Sequence, residues 1–262
     1  IKYTNGNLVS IGGTDLDSQT LLDNLLITHK LSGHTDFKVI TPVTSIAAFM
    51  TDSSKVNAAL GIDSSIDIFS FDPVANKGDG GINDYLYEKG NQLTVIAYAL
   101  QNIANNLNTT TETTEDYFQS MAEMVDAEYA ETNLRVNIET EAFINKVLDD
   151  VVAKKSLNID DANKNNTVSA LTALLPVIQV KQSEANTVAI FNFATSTFQN
   201  DAQAIANGSV TSEILSSYQN DILNYVATNQ SINASELEPD ITAILDSVTT
   251  DEDTSIDINV LN

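Results

Sequence analysis

Apolar positions along most of this chain recur at three- and four-residue spacing, and the spacing shortens to two only near the ends. At the N-terminus, Asn5-Gly6 after Ile1-Lys-Tyr is a hairpin signal, and Leu8-Val-Ser-Ile11 reads as a strand stopped by Gly12-Gly13. Leu21 to Leu31 fits either period. Phe37-Lys-Val-Ile40 reads as a short strand that ends before Pro42. The pattern then turns helical. Thr41 is a good N-cap with Pro42 at the first helical position, leading into Val43 to Met50. Ser53 or Ser54 can cap a short helix, Lys55 to Leu60, that ends at Gly61. After a loop over 62–82, Leu86, Leu93, Ile96, Leu100, Ile103 and Leu107 place a buried stripe on a helix from Asn83 to about Leu107.

A Thr-rich connection leads to Thr114, read as the cap of a helix from Glu115 to about Glu131. Another helix is expected from about Glu139 to Lys155, its two terminal lysines suiting the negative helix end. Asn158 to Asn166 reads as an Asp/Asn-rich loop. Thr167 to about Asn207 reads as long and helical, kinked or broken near Pro176 and stopped by Asn207-Gly208. Two further helices are expected, one capped by Thr211 or Ser212 and one by Ser235. At the C-terminus, Ser255, Asp257 and Asn259 alternate with Ile256, Ile258 and Val260, the period of a half-buried strand. The expected fold is mainly α. It is a multi-helix bundle over 43–248, with a β-rich segment over 1–42 and an acidic linker and terminal strand over 249–262.

Composition narrows the partners. The 262 residues carry 36 acidic and 12 basic side chains, a net charge of −24. Nucleic acid and anionic membrane surfaces both need basic patches, so neither is an expected partner. Cations are favoured, although acidity also serves solubility in a saline habitat. With no Cys, there is no disulfide framework, thiolate metal site or Cys nucleophile. No apolar run reaches the length of a membrane span, and no signal peptide opens the chain.

Two stretches carry a resemblance. Glu252-Asp-Thr-Ser-Ile-Asp-Ile-Asn-Val-Leu-Asn262 resembles the opening of the cadherin-like, VCBS-type repeats of very large bacterial surface proteins and RTX-type adhesins. In that family the strand runs on into Asn-Asp, whereas here it stops at Asn. Four anchors within residues 8–73 resemble a pattern of large repetitive bacterial surface proteins. They are Ile11-Gly-Gly-Thr-Asp15, Val39-Ile-Thr-Pro-Val-Thr-Ser45, Ala58-Ala-Leu-Gly61 and Asp67-Ile-Phe-Ser-Phe-Asp-Pro73. Val43 and Ser45 stand where that pattern usually has Leu and Thr. Residues 110–247 match no pattern of this kind. The resemblance implies a module of a longer extracellular protein, used in adhesion, matrix or filament building at the bacterial cell surface. It brings no catalytic residues, and no enzyme activity is expected. The expected partners are neighbouring modules or copies of the same protein. The alternative is a helical module that binds polysaccharide.

Calcium is the sharpest chemical expectation, because hard cations need clustered oxygen ligands on tight turns. Asp160, Asp161, Asn163, Asn165 and Thr167 place oxygens at alternate positions from 161, as in an EF-hand loop, with Asn166 at the tight turn. Thr172 stands where the bidentate carboxylate belongs, so the motif is incomplete. A plain Asx-rich turn explains the same residues. A second set, Asp72, Asp79 and Asp84, surrounds Gly78-Asp-Gly-Gly81, and there the alternative is a flexible turn with Asp84 at a helix N-terminus. By the resemblance, the linker Asp251, Glu252 and Asp253 is a third candidate. His29 and His34 lack a third ligand in pattern. Glu139/Glu141 and Asp149/Asp150 read as solvated carboxylates on helices. Tyr85, Tyr87 and Tyr98 suit bundle packing better than a sugar platform.

Overall fold

The structure is a computed structural model, and it describes residues 2–4, 7–12, 26–30, 39–73, 82–108, 113–178, 202–209 and 220. Among the described residues the protein is mainly helical, as the periodicity predicts. Among these residues, a small antiparallel sheet of three strands precedes seven packed α-helices. Strands β1 (Lys2–Thr4) and β2 (Asn7–Ile11) pair around Asn5-Gly6, with Tyr3 opposite Leu8. Strand β3 (Leu26–Lys30) pairs with β2, Val9 opposite Thr28, and lies against the first and fourth helices. The ambiguous stretch 21–31 therefore holds a strand. The expected strand at 37–40 does not form over its described part. Val39 and Ile40 are irregular backbone, and the Val39 N–H donates to the Phe69 carbonyl at 3.1 Å.

Helix α1 (Pro42–Phe49) starts where the sequence places it. The Thr41 hydroxyl accepts from the Thr44 N–H at 3.1 Å, and the Thr44 hydroxyl accepts from the Thr41 N–H at 2.9 Å, a reciprocal cap. A 3-10 turn over Ser53–Lys55 follows, capped by Asp52 rather than by Ser53 or Ser54. It leads into α2 (Val56–Leu60), which ends at Gly61 with φ +72°. A Cβ at Gly61 would run into the Arg135 side chain as well as adopt a left-handed backbone. Gly61→Ala should therefore cost about 1–2 kcal/mol, read as a lower urea midpoint at unchanged slope.

Helix α3 (Ile82–Asn108) is the central member and contacts α1, α4, α6 and α7. Leu93, Ile96, Leu100 and Ile103 are buried as the stripe requires, but so are Gln92 at its edge and Thr94 and Gln101 on the opposite face. Helix α4 (Thr114–Thr132) packs on α1, α3 and α5 (Glu141–Lys155). Its cap is Thr113, with Asp116 closing the box, not Thr114. Helices α4 and α5 run antiparallel and are laced by Asp116–Lys155 at 2.7 Å, Glu123–Lys154 at 2.5 Å and Glu128–Lys146 at 3.2 Å. Helix α6 (Asp161–Ile178) runs through Pro176, and α7 (Ala202–Ala206) ends at Gly208, φ +79°. One main-chain bond and one side-chain bond tie α2 to neighbouring segments. The Val136 N–H donates to the Ala59 carbonyl at 2.8 Å, and the Asn57 amide reaches the Ile66 carbonyl, also at 2.8 Å. The helices expected after Thr211 and Ser235 and the terminal strand lie outside the described residues.

Candidate functional site

The first calcium candidate lies on a helix start, not a loop. Residues 161–178 are helical, so the reading of 158–166 as a loop is corrected. Asp160 caps that helix. Its Oδ1 accepts from the Asn163 N–H at 2.8 Å, and its Oδ2 accepts from the Asn163 side-chain amide at 3.3 Å. Successive helical residues turn by about 100°, so 161 and 165 share one face while 163 lies on the opposite one, and the three oxygens do not converge. Asp161 and Asn165 are exposed, and Asn163 is half-buried. Lys164 lies between Asp149 and Asp161 and supplies a positive charge at this position. In the second candidate, Asp72 is exposed beyond α2, and Asp84 lies half-buried in the first turn of α3. Asp79 lies outside the described residues, as do Asp251, Glu252, Asp253 and His34. His29 is on β3. Among the described residues, no three His, Asp or Glu side chains gather as a metal site would need.

Of the three tyrosines, Tyr98 is buried in the core, and the half-buried Tyr85 donates its hydroxyl to the Leu60 carbonyl at 2.8 Å. Both fit bundle packing.

The bundle also contains a polar centre that the helical pattern does not announce. The Lys89 ammonium donates to Gln92 Oε1 at 2.7 Å and to Glu139 Oε1 at 2.9 Å. Lys89 and Glu139 side chains keep only 8% and 14% of their surface, so this is a buried pair. The ammonium also lies 5.4 Å from the centre of the Tyr85 ring. Burial pulls the Lys89 pKa below its ordinary 10.5, and the hydrogen bond to Glu139 partly offsets this. Gln92 Nε2 and Asn91 Nδ2 are buried without a hydrogen-bond partner among the described residues. Glu139 is thus not the solvated helical carboxylate expected. It lies in the turn before α5, which Thr140 caps. One signal was available: Lys89 is the last basic residue before Arg135 and directly precedes the apolar stretch of α3.

A cleft of about 680 Å³ opens between the C-terminal end of α1, the 3-10 turn and α4. Phe49, Tyr129 and Ala130 are among its apolar walls, and Asp52, Glu123 and Asp126 line it with carboxylates. Asp126 Oδ2 accepts from the Thr51 N–H at 2.5 Å, which fixes the end of α1 to α4. Hydrogen bonds from the Ser54 hydroxyl and N–H hold the Asp52 carboxyl below the usual carboxylate range.

No described helix is long and apolar enough to cross a membrane. The chain matches no protein-family model, and neither a curated protein nor a solved structure is significantly similar to it.

Proposed function

We propose that this chain is a non-catalytic structural or adhesive module of a secreted bacterial surface or extracellular-matrix protein. The observation that carries the reading is the pattern within residues 8–73, together with the use its described residues have. Thr41 and Pro42 start a helix, and Ala58 to Gly61 end one. The turns from Asp67 to Pro73 are tied back by the Val39–Phe69 main-chain bond. Asn57 reaches the Asp63 and Ile66 carbonyls. Residues so used set a shape, which is what a spacer or scaffold module needs from its recurring motif.

Surface exposure of the native protein tests the reading. External protease should remove the epitopes of this chain from intact cells. Protection until lysis would overturn an extracellular role. Calcium is the proposed ion, supported by the net charge of −24, which favours cations. Thermal unfolding should then rise on moving from EDTA to millimolar calcium, by roughly 2.7 kcal/mol if calcium stands at a hundred times its dissociation constant. An unchanged midpoint would remove calcium and leave the acidity to solubility.

A further inference from the structure

We propose that the cleft between α1 and α4 docks a basic amphipathic segment of a different protein. Its walls combine the Phe49 and Tyr129 rings with the methyl of Ala130, a surface suited to an apolar anchor. Leu134 directly follows the cleft residue Asn133 and is 69% exposed. A large exposed leucine next to an apolar cleft extends the contact beyond what a single small ligand fills, and so favours a polypeptide.

Charge decides which polypeptide. Asp52, Glu123 and Asp126 line the cleft against Lys55, 3.7 Å from Asp52, and Lys154, 2.5 Å from Glu123, so the cleft keeps a net negative charge. A carboxylate has about four acceptor positions, and the internal bonds to Asp126 and Asp52 leave some of them open. A lysine or arginine can lay its aliphatic stem on the ring faces and place its head among these oxygens. A second copy of this chain is a poor occupant, because it brings 36 acidic against 12 basic residues to a surface of the same sign. The same field draws a basic segment in from a distance.

The test uses the full chain and a short dye-labelled peptide of alternating arginine and leucine, followed by fluorescence anisotropy. Ala127 and Ala130 are exposed on α4, so arginine at either should leave the fold intact while filling the cleft and adding positive charge. Ala162→Arg adds the same charge at an exposed position of α6 outside the cleft. The peptide should bind, and Ala130→Arg or Ala127→Arg should weaken it about tenfold or more while Ala162→Arg changes it little. A glutamate–leucine peptide should not compete. Equal weakening by all three variants would mean general attraction to an acidic surface and would overturn the site. So would no binding, or displacement by a neutral oligosaccharide such as maltohexaose.

Discussion

Phe118→Ala is expected to remove about 3–5 kcal/mol of folding stability, enough to unfold a marginally stable domain. Phe118 has no exposed surface and sits among Tyr117, Met121 and Val125, which have none either. Its helix, α4, is in contact with α1, α2, α3, α5 and β3. Truncation there leaves a cavity bounded by several elements, and none of them can move in without losing its other contacts. That is the setting in which a lost aromatic costs its transfer free energy plus a cavity penalty. Urea unfolding followed by far-ultraviolet circular dichroism would read it. Gln119→Ala, at the exposed neighbouring position, should stay within about 0.5 kcal/mol of the wild type. A loss below about 1 kcal/mol for Phe118→Ala would mean that α4 is not the centre of this core.

Glu139→Ala is expected to cost about 3 kcal/mol, because it leaves the Lys89 ammonium buried without its counter-charge. The double variant Lys89→Met with Glu139→Leu should cost far less than the sum of the two single changes. A hydrophobic pair of similar volume needs no solvation to be replaced. Additive losses would show that the two groups do not interact. The pH dependence gives a second check. The Lys89 pKa is lowered on folding, so the unfolded chain binds more protons in the window ending at 10.5. Stability from this group rises as pH climbs through that window, because the cost of burying the ammonium is relieved. Lys89→Met should remove that rise.

Where local chemistry decides, the sequence was legible. Thr41 and Pro42 start α1, and Gly61 ends α2, because caps and left-handed glycines act within a few residues. Even the misplaced cap of α4 was readable by a stricter rule. A capping box needs a short acceptor side chain three residues on, and Asp116 answers to Thr113 while Thr114 would meet the ring of Tyr117 there. The first turns of α6 were not legible. Asn163, Asn165 and Asn166 have low helix propensity, but Val168, Leu171 and Leu175 bury the later turns, and the Asp160 cap extends the helix back to 161. Strand β3 is decided by its pairing with β2, and Lys89 meets a partner fifty residues away. Neither partner lies within any local window. The oxygen-rich positions at 161, 163 and 165 were read by spacing, and a helix puts alternate positions on opposite faces.

The bond from the Val136 N–H to the Ala59 carbonyl joins the α4–α5 connection to α2 through main-chain atoms alone. Side-chain identity at either position does not enter it, and only proline at 136 would remove the donor. Over evolutionary drift, the two segments can therefore exchange one small or apolar residue for another and keep the same junction. A comparison of descendants would find the fold retained there without a matching trace of paired substitutions.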